Sequence, residues 1–182
     1  MTLPNSHKQH WFFTTPVLLA TSLLIVLLDR LTKYLCDTFL TYGQPRTVFE
    51  GFDLLLAYNS GAAFSFLSDA GGWQRWFLTG LSMIVSMLIL FWLVRLSKRE
   101  RLLALSLCLI LGGALGNLYD RIFYGYVIDF ISVYYQQYRF ATFNIADSAV
   151  SVGAGLMILE VILGKPEQDE KIPRDTRESD KV

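Results

Sequence analysis

The sequence predicts an all-α polytopic membrane protein: four transmembrane helices, with a small extracytoplasmic (periplasmic) β-sheet element between the first and second. Three observations carry this expectation. Hydrophobic residues make up 53% of the 182-residue chain, and the mean hydropathy is +0.38, more apolar than a soluble domain of that length. Apolar runs long enough to cross a bilayer recur four times, over about residues 12–35, 73–95, 101–121 and 144–164. Between the first two lies a stretch of different character, about 46–68, in which aromatic and aliphatic residues mix with Glu50 and Asp53 and are punctuated by glycine.

In chain order, the first run resembles a signal peptide in length. It is followed by Asp29-Arg30-Leu31-Thr32-Lys33 and not by a small-residue cleavage site, so it is expected to remain as a helix. Cys36 lacks the small preceding residues of a lipid-attachment site. Val48 to Tyr58, then Asn59-Ser60-Gly61 and Ala62 to Phe66, reads as a β-hairpin resting on the membrane surface. The second helix carries Trp73, Trp76 and Trp92 near its ends, as interfacial anchors do. Tyr124 to Thr142 reads as an aromatic connection at the interface, and Phe123 to Tyr138 within it as a candidate lid. Residues 1–165 are expected to form one membrane-embedded domain and 166–182 a disordered cytoplasmic tail.

Orientation follows from the basic residues. Arg95, Lys98, Arg99 and Arg101 lie between helices two and three, and Lys165, Lys171, Arg174 and Arg177 follow helix four, which predicts that both termini are cytoplasmic. Helix one then runs outward, and Asp29 lies roughly 26 Å beyond Phe12 in a core roughly 30 Å thick. Helix three brings Asn117, Asp120 and Arg121 to its outer end, and helix four begins there with Asn144 and Asp147. Asn59 and Asp129 fall in the two outer loops, so the polar residues gather at one level near the outer face.

Each has a plain structural role open to it. Asp29 and Lys33, spaced i, i+4, suit an ion pair better than chemistry. Asn117, Asp120 and Arg121 share a helix face and suit either helix closure or substrate contact. Asn144 can cap helix four with Asp147 at its third position, and Asp129 can be a solvated carboxylate. Spacing alone does not bring Asp129 and Asp147 together. Were they to meet, one would hold a proton while the other acted as base, as in peptide hydrolysis by an aspartyl pair without metal or cofactor. His7 and His10 fall on the wrong side of the membrane for a serine or cysteine triad. The two cysteines, Cys36 and Cys108, have no metal-ligand spacing, and a net charge of zero gives no support to nucleic-acid binding. An ion-carrying transporter would spread its polar groups through the membrane depth, and an assembly factor would use Gly112-Gly113 and Gly153-Ala154-Gly155 to bind other helices; these small residues suit packing within the chain better.

At these positions the sequence resembles the lipoprotein signal peptidase (signal peptidase II) family. The matching segments are Asp29 with Leu31-Thr32-Lys33, Tyr58 to Ser65, Gly116-Asn117-Leu118-Tyr119-Asp120-Arg121, Val127-Ile128-Asp129-Phe130 and Phe143-Asn144-Ile145-Ala146-Asp147-Ser148. The resemblance implies a bacterial inner-membrane aspartyl endopeptidase with its site near the outer face. Such an enzyme removes the signal peptide from diacylglyceryl-modified prolipoproteins by cleaving before the lipidated cysteine. It implies Asp129 and Asp147 as the catalytic dyad, and Asn59, Gly61, Asn117, Arg121, Asn144, Asp29, Lys33 and Asp120 as substrate-binding or supporting residues. It further implies a monomer surrounded by membrane lipid, no metal or cofactor, and inhibition by globomycin-type peptides. Arg30 and Tyr119 depart from the residues more usual in the family.

Overall fold

The structure is a computed structural model and describes residues 15–61, 72–96 and 100–163. Residues 62–71, 97–99 and those after 163 lie outside the described residues, and with them the second half of the expected hairpin and the expected tail. Four helices are present: α1 (Thr15–Phe39), α2 (Trp73–Leu93), α3 (Arg101–Phe123) and α4 (Ile145–Leu163). Among the described residues α2, α3 and α4 are each long and apolar enough to cross a membrane. The outer surfaces are apolar, with Leu23, Leu27 and Leu31 exposed along α1, Phe77, Ile84 and Leu88 along α2, and Val161 and Ile162 on α4.

The sheet differs from the expected local hairpin. β1 (Arg46–Phe49) turns through Gly51, whose φ of 91° suits glycine, into β2 (Phe52–Asn59). β2 then pairs antiparallel with β3 (Val127–Tyr135), which pairs with β4 (Tyr138–Arg139), giving the order β1-β2-β3-β4. Thus the sheet is not confined to the segment between α1 and α2. The stretch expected to be an interfacial connection supplies two of its strands, and Asn59 ends one strand while Asp129 sits near the start of its neighbour. Val127 to Phe130 are all buried, so the alternation that marks a half-exposed strand is missing from this sequence.

Helix α3 is the central element, packing against α1, α2 and α4. One apolar cluster, Ile89, Leu93 and Leu96 with Ala104, Leu107, Cys108 and Leu111, lies where α2 ends and α3 begins, away from the polar residues at the other end of α3. Towards that polar end α3 packs through glycine. A Cβ on Gly113 would meet the Ala146 carbonyl oxygen at 2.3 Å, and one on Gly116 would meet Asp29 Oδ2 at 2.7 Å. The small-residue segments therefore pack the protein's own helices, although a Cβ on Gly155 would meet nothing within 4 Å.

Gly113→Ala should lower the stability in detergent by about 1–3 kcal/mol, because the obstructing atom is backbone and α4 must move. Gly155→Ala should be neutral or raise it by about 0.5–1 kcal/mol through helix propensity. Thermal unfolding of the two variants beside the parent checks both directions.

Candidate active site

The polar residues of α1 and α3 form one buried network. Lys33, with no exposed side-chain surface, lies 2.7 Å from Asp29 Oδ2 and 2.8 Å from Asp120 Oδ2, and donates to Asn117 Oδ1 at 3.0 Å. The ammonium is thus surrounded by three side-chain oxygens, two from ion-paired carboxylates and one from the amide it donates to. Asp29 Oδ1 accepts the backbone N–H of Ala146 at 2.9 Å, in the first turn of α4, and Asp120 Oδ2 accepts the N–H of Ile128 at 3.2 Å, beside Asp129. The i, i+4 pair expected from sequence is present, and through Asp29 it also anchors α4, while Asp120, which Lys33 also contacts, anchors β3. Arg30 ion-pairs with Asp120 from the opposite side, donates to Tyr124 Oη at 3.0 Å and stacks over the Tyr119 ring at 4.3 Å. The two departures from the family pattern are therefore partners of each other.

Asn117 carries the network onward. Its Nδ2 donates to Asp147 Oδ1 at 2.7 Å, while its Oδ1, besides facing Lys33, accepts from Asn144 Nδ2 at 3.1 Å. Asn144 Nδ2 also donates to Asp129 Oδ1 at 2.8 Å and to the Ile128 carbonyl at 3.2 Å. At the start of α4, Asn144 and Asp147 cap each other: the Asp147 N–H donates to Asn144 Oδ1 at 2.9 Å, and the Asn144 N–H to Asp147 Oδ2 at 3.2 Å. This is the reciprocal capping arrangement of a helix N-terminus. It leaves Asp147 locked in direction, and the capping role coexists with its place in the cavity.

Asp129 is 2% exposed, and its second oxygen accepts from Asn59 Nδ2 at 3.1 Å. Asn59 Oδ1 in turn accepts the Gly61 N–H at 3.0 Å, which ties the end of β2 to the site. Burial, followed by the neighbouring Asp147 charge, raises the Asp129 pKa from the ordinary carboxylate range to about 7; the donors Asn59 and Asn144, and Lys33 beyond them, oppose this without cancelling it.

Asp129 and Asp147 both line a cavity of about 990 Å³ with Asn59, Asn117 and Arg121. Away from these groups its walls become apolar, through Leu81 and Val85 of α2, Ile110 and Ala114 of α3 and Val150 of α4. The cavity is thus a groove between α2 and α4, polar at one end. Arg121 is half-buried beside it, with Nη1 at 3.4 Å from the Asn117 carbonyl. Of the ten residues singled out in the sequence, Asn59, Asn117, Arg121, Asp129 and Asp147 line this cavity. Asn144 and Gly61 hold cavity residues in place, and Asp29, Lys33 and Asp120 lie behind them as a buried support. Sequence reasoning did not find Arg75 of α2, which donates to the carbonyls of Arg121 and Ile122 at 2.8 Å each; nothing in its spacing marks it.

Similarity to known proteins agrees with this architecture. A lipoprotein signal peptidase of Acinetobacter baumannii is 48% identical over 162 residues, covering 87% of this chain and 92% of that protein. Those of Teredinibacter turnerae and Cupriavidus taiwanensis are 49% and 51% identical, covering 79% and 81% of this chain and 85% and 84% of those proteins. A solved structure described as a bacterial membrane enzyme superposes with a TM-score of 0.77 at 27% identity, covering 92% of this chain and 98% of that one. The sequence model for the family described as Signal peptidase (SPase) II matches residues 21–163, almost the whole of the described structure, and the chain belongs to that family.

Proposed function

We propose that the protein removes signal peptides from diacylglyceryl-modified prolipoproteins by aspartyl proteolysis, with Asp129 and Asp147 as the dyad, cleaving before the lipidated cysteine. One observation carries this reading. The two carboxylates line a single cavity and are joined through one asparagine, Asn144, which donates to both, while the groove's other walls are mainly apolar, with Ser82, Thr142, Ser148 and Ser151 among them. A signal peptide is itself apolar, so the groove between α2 and α4 suits it, and its scissile bond can reach the polar end without passing through bulk water.

The raised pKa of Asp129 gives it the proton that the pair shares near neutral pH. Asp147, directed by Asn117 and the Asn144 N–H, is then the base. Water placed between the carboxyls gives a proton to Asp147 as its oxygen bonds to the carbonyl carbon, and Asp129 protonates the carbonyl oxygen. Collapse breaks the C–N bond, the amine leaves with the proton held by Asp147, and the new acid group's proton returns to Asp129. Every transfer is between oxygen or nitrogen atoms already in the site, so the cycle runs without a metal. Asn59 and Arg121, at the cavity edge, hold the substrate backbone, which an extended peptide at membrane depth requires.

The same reading has α1 as a fourth spanning helix. Its 25 residues reach about 38 Å, and its buried charges Asp29 and Lys33 turn inward while leucines face outward. Both termini are then cytoplasmic, the sheet and the dyad lie at the outer face, the enzyme acts as a monomer in lipid, and globomycin-type peptides compete for the groove.

Asp129→Asn and Asp147→Asn should each lower cleavage of a lipidated precursor in detergent by about 10³-fold or more, with chelator leaving the parent unaffected. Near-normal turnover in either folded variant would refute the dyad. The parent's kcat/KM should decline on the alkaline side with an apparent pKa near 7, a value belonging to the pair.

Stability carries the same signature. A carboxyl whose folded pKa is raised stabilises the fold at low pH and loses that contribution as pH rises through about 7. Asp129→Asn should therefore unfold at a higher temperature than the parent at pH 8, with the difference shrinking by pH 5. A reporter attached within the loop that contains Arg95 and Arg101 should read as cytoplasmic, and an external signal would reverse the assigned orientation.

A further inference from the structure

The outer end of α3 is held from two sides, and the two grips divide it at a particular residue. Asp120 is fixed through its side chain by Arg30, Lys33 and the Ile128 N–H. Its carbonyl is also occupied, accepting the N–H groups of Tyr124 at 2.8 Å and Gly125 at 3.1 Å. The next two carbonyls, of Arg121 and Ile122, fall in the final turn, where an α-helix has no internal donors left. Both are taken by one side chain from another helix: Arg75 Nε donates to the Arg121 oxygen at 2.8 Å and Arg75 Nη2 to the Ile122 oxygen at 2.8 Å.

The guanidinium is fitted to this place. Gly125, with φ of 86°, turns the chain directly beneath it, and a Cβ there would stand 3.1 Å from Arg75 Nη1. Its Cζ lies 4.9 Å from the Trp76 ring centroid, so the charge is covered by an aromatic face. Arg75 belongs to the first turn of α2, the helix that supplies Leu81 and Val85 to the groove wall. A planar fork that spans two adjacent carbonyls is a geometry lysine cannot reproduce.

From this we infer that Arg75 is a positioning residue for substrate binding: it closes the last turn of α3 in trans and thereby fixes the direction of Arg121 into the cavity. The inference rests on the reading of Arg121 as a substrate contact. Loss of Arg75 leaves the two carbonyls of the last turn without the donors that now hold them, and the turn is free to relax towards others. That relaxation starts at Arg121 and stops at Asp120, which has its own partners. Asp129 is joined to Asp120 through the Ile128 N–H and to Asn144 and Asn59, none of which Arg75 touches. Substrate affinity should therefore suffer while the chemistry of the dyad does not.

The test is a kinetic cycle on the full chain in detergent with a synthetic diacylglyceryl lipopeptide as substrate, using Arg75→Ala, Arg121→Ala and the double variant, with Arg75→Lys beside them. Arg75→Ala should raise KM about tenfold, the equivalent of one lost charged hydrogen bond, with kcat within about twofold and the alkaline limb unmoved. Arg121→Ala should raise KM at least as much, and adding Arg75→Ala to it should change KM by less than about twofold, because the second substitution acts through the first. Arg75→Lys, which can serve one carbonyl, should fall between. Three results from the Arg75 variants would overturn the inference: independent, multiplicative effects of the two substitutions; a shifted alkaline limb; or a loss of kcat that follows the fraction unfolded with KM unchanged. If Arg121→Ala itself leaves KM unchanged, the substrate role of Arg121 fails and this inference with it; if Arg121→Ala raises KM and Arg75→Ala multiplies it, the inference fails alone.

Discussion

The ammonium of Lys33 is the constraint on which the site depends. A lysine with no exposed surface is tolerable only if its charge is compensated, and the Asp29 and Asp120 carboxylates do this by ion pairing while Asn117 accepts a hydrogen bond from it. Two of those acceptors sit on α3, so α1 and α3 have one relative register in which the charge is satisfied. The remaining atoms of the same acceptors reach outward: Asp29 holds the first turn of α4, Asp120 holds β3 at Ile128, and Asn117 holds Asp147. One buried cation thus sets the position of both elements that carry Asp129 and Asp147, and removal of such a partner typically costs about 3–5 kcal/mol.

The charges are also arranged in two tiers. Lys33 and Arg30 balance Asp29 and Asp120, which makes the support close to neutral. Between it and the Asp129 and Asp147 carboxyls stand Asn117 and Asn144, amides that pass hydrogen bonds without adding charge. This separation lets burial and Asp147 dominate Asp129, raising its affinity for a proton, even though a lysine lies within the same network. A carboxyl whose pKa burial raises to about 7 is held at some expense of stability once pH passes that value.

The helices and the membrane class were legible because their apolar runs are long and their ends are marked by tryptophan and charge. The i, i+4 spacing of Asp29 and Lys33 and the N-x-x-D spacing of Asn144 and Asp147 likewise announced local interactions that the structure contains. Strand β3 was not legible as a strand. Its first four residues are buried on both faces, so periodicity is absent, and its partner β2 lies some seventy positions earlier in the chain. For the same reason the meeting of Asp129 with Asn59 could be expected from resemblance but not from spacing. Arg75 was invisible because its partners are carbonyl oxygens, which every residue possesses. Arg30 and Tyr119 could be noticed only as departures, and their pairing emerged only from the fold.

The central claim is that burial and Asp147 keep a proton on Asp129 up to about pH 7, and infrared difference spectroscopy of the protein in detergent tests it most directly. The account predicts a protonated carboxyl band at pH 6 that disappears with a midpoint near pH 7 and is missing from Asp129→Asn. A band that titrates identically in Asp129→Asn, or no band titrating in that range, would contradict it.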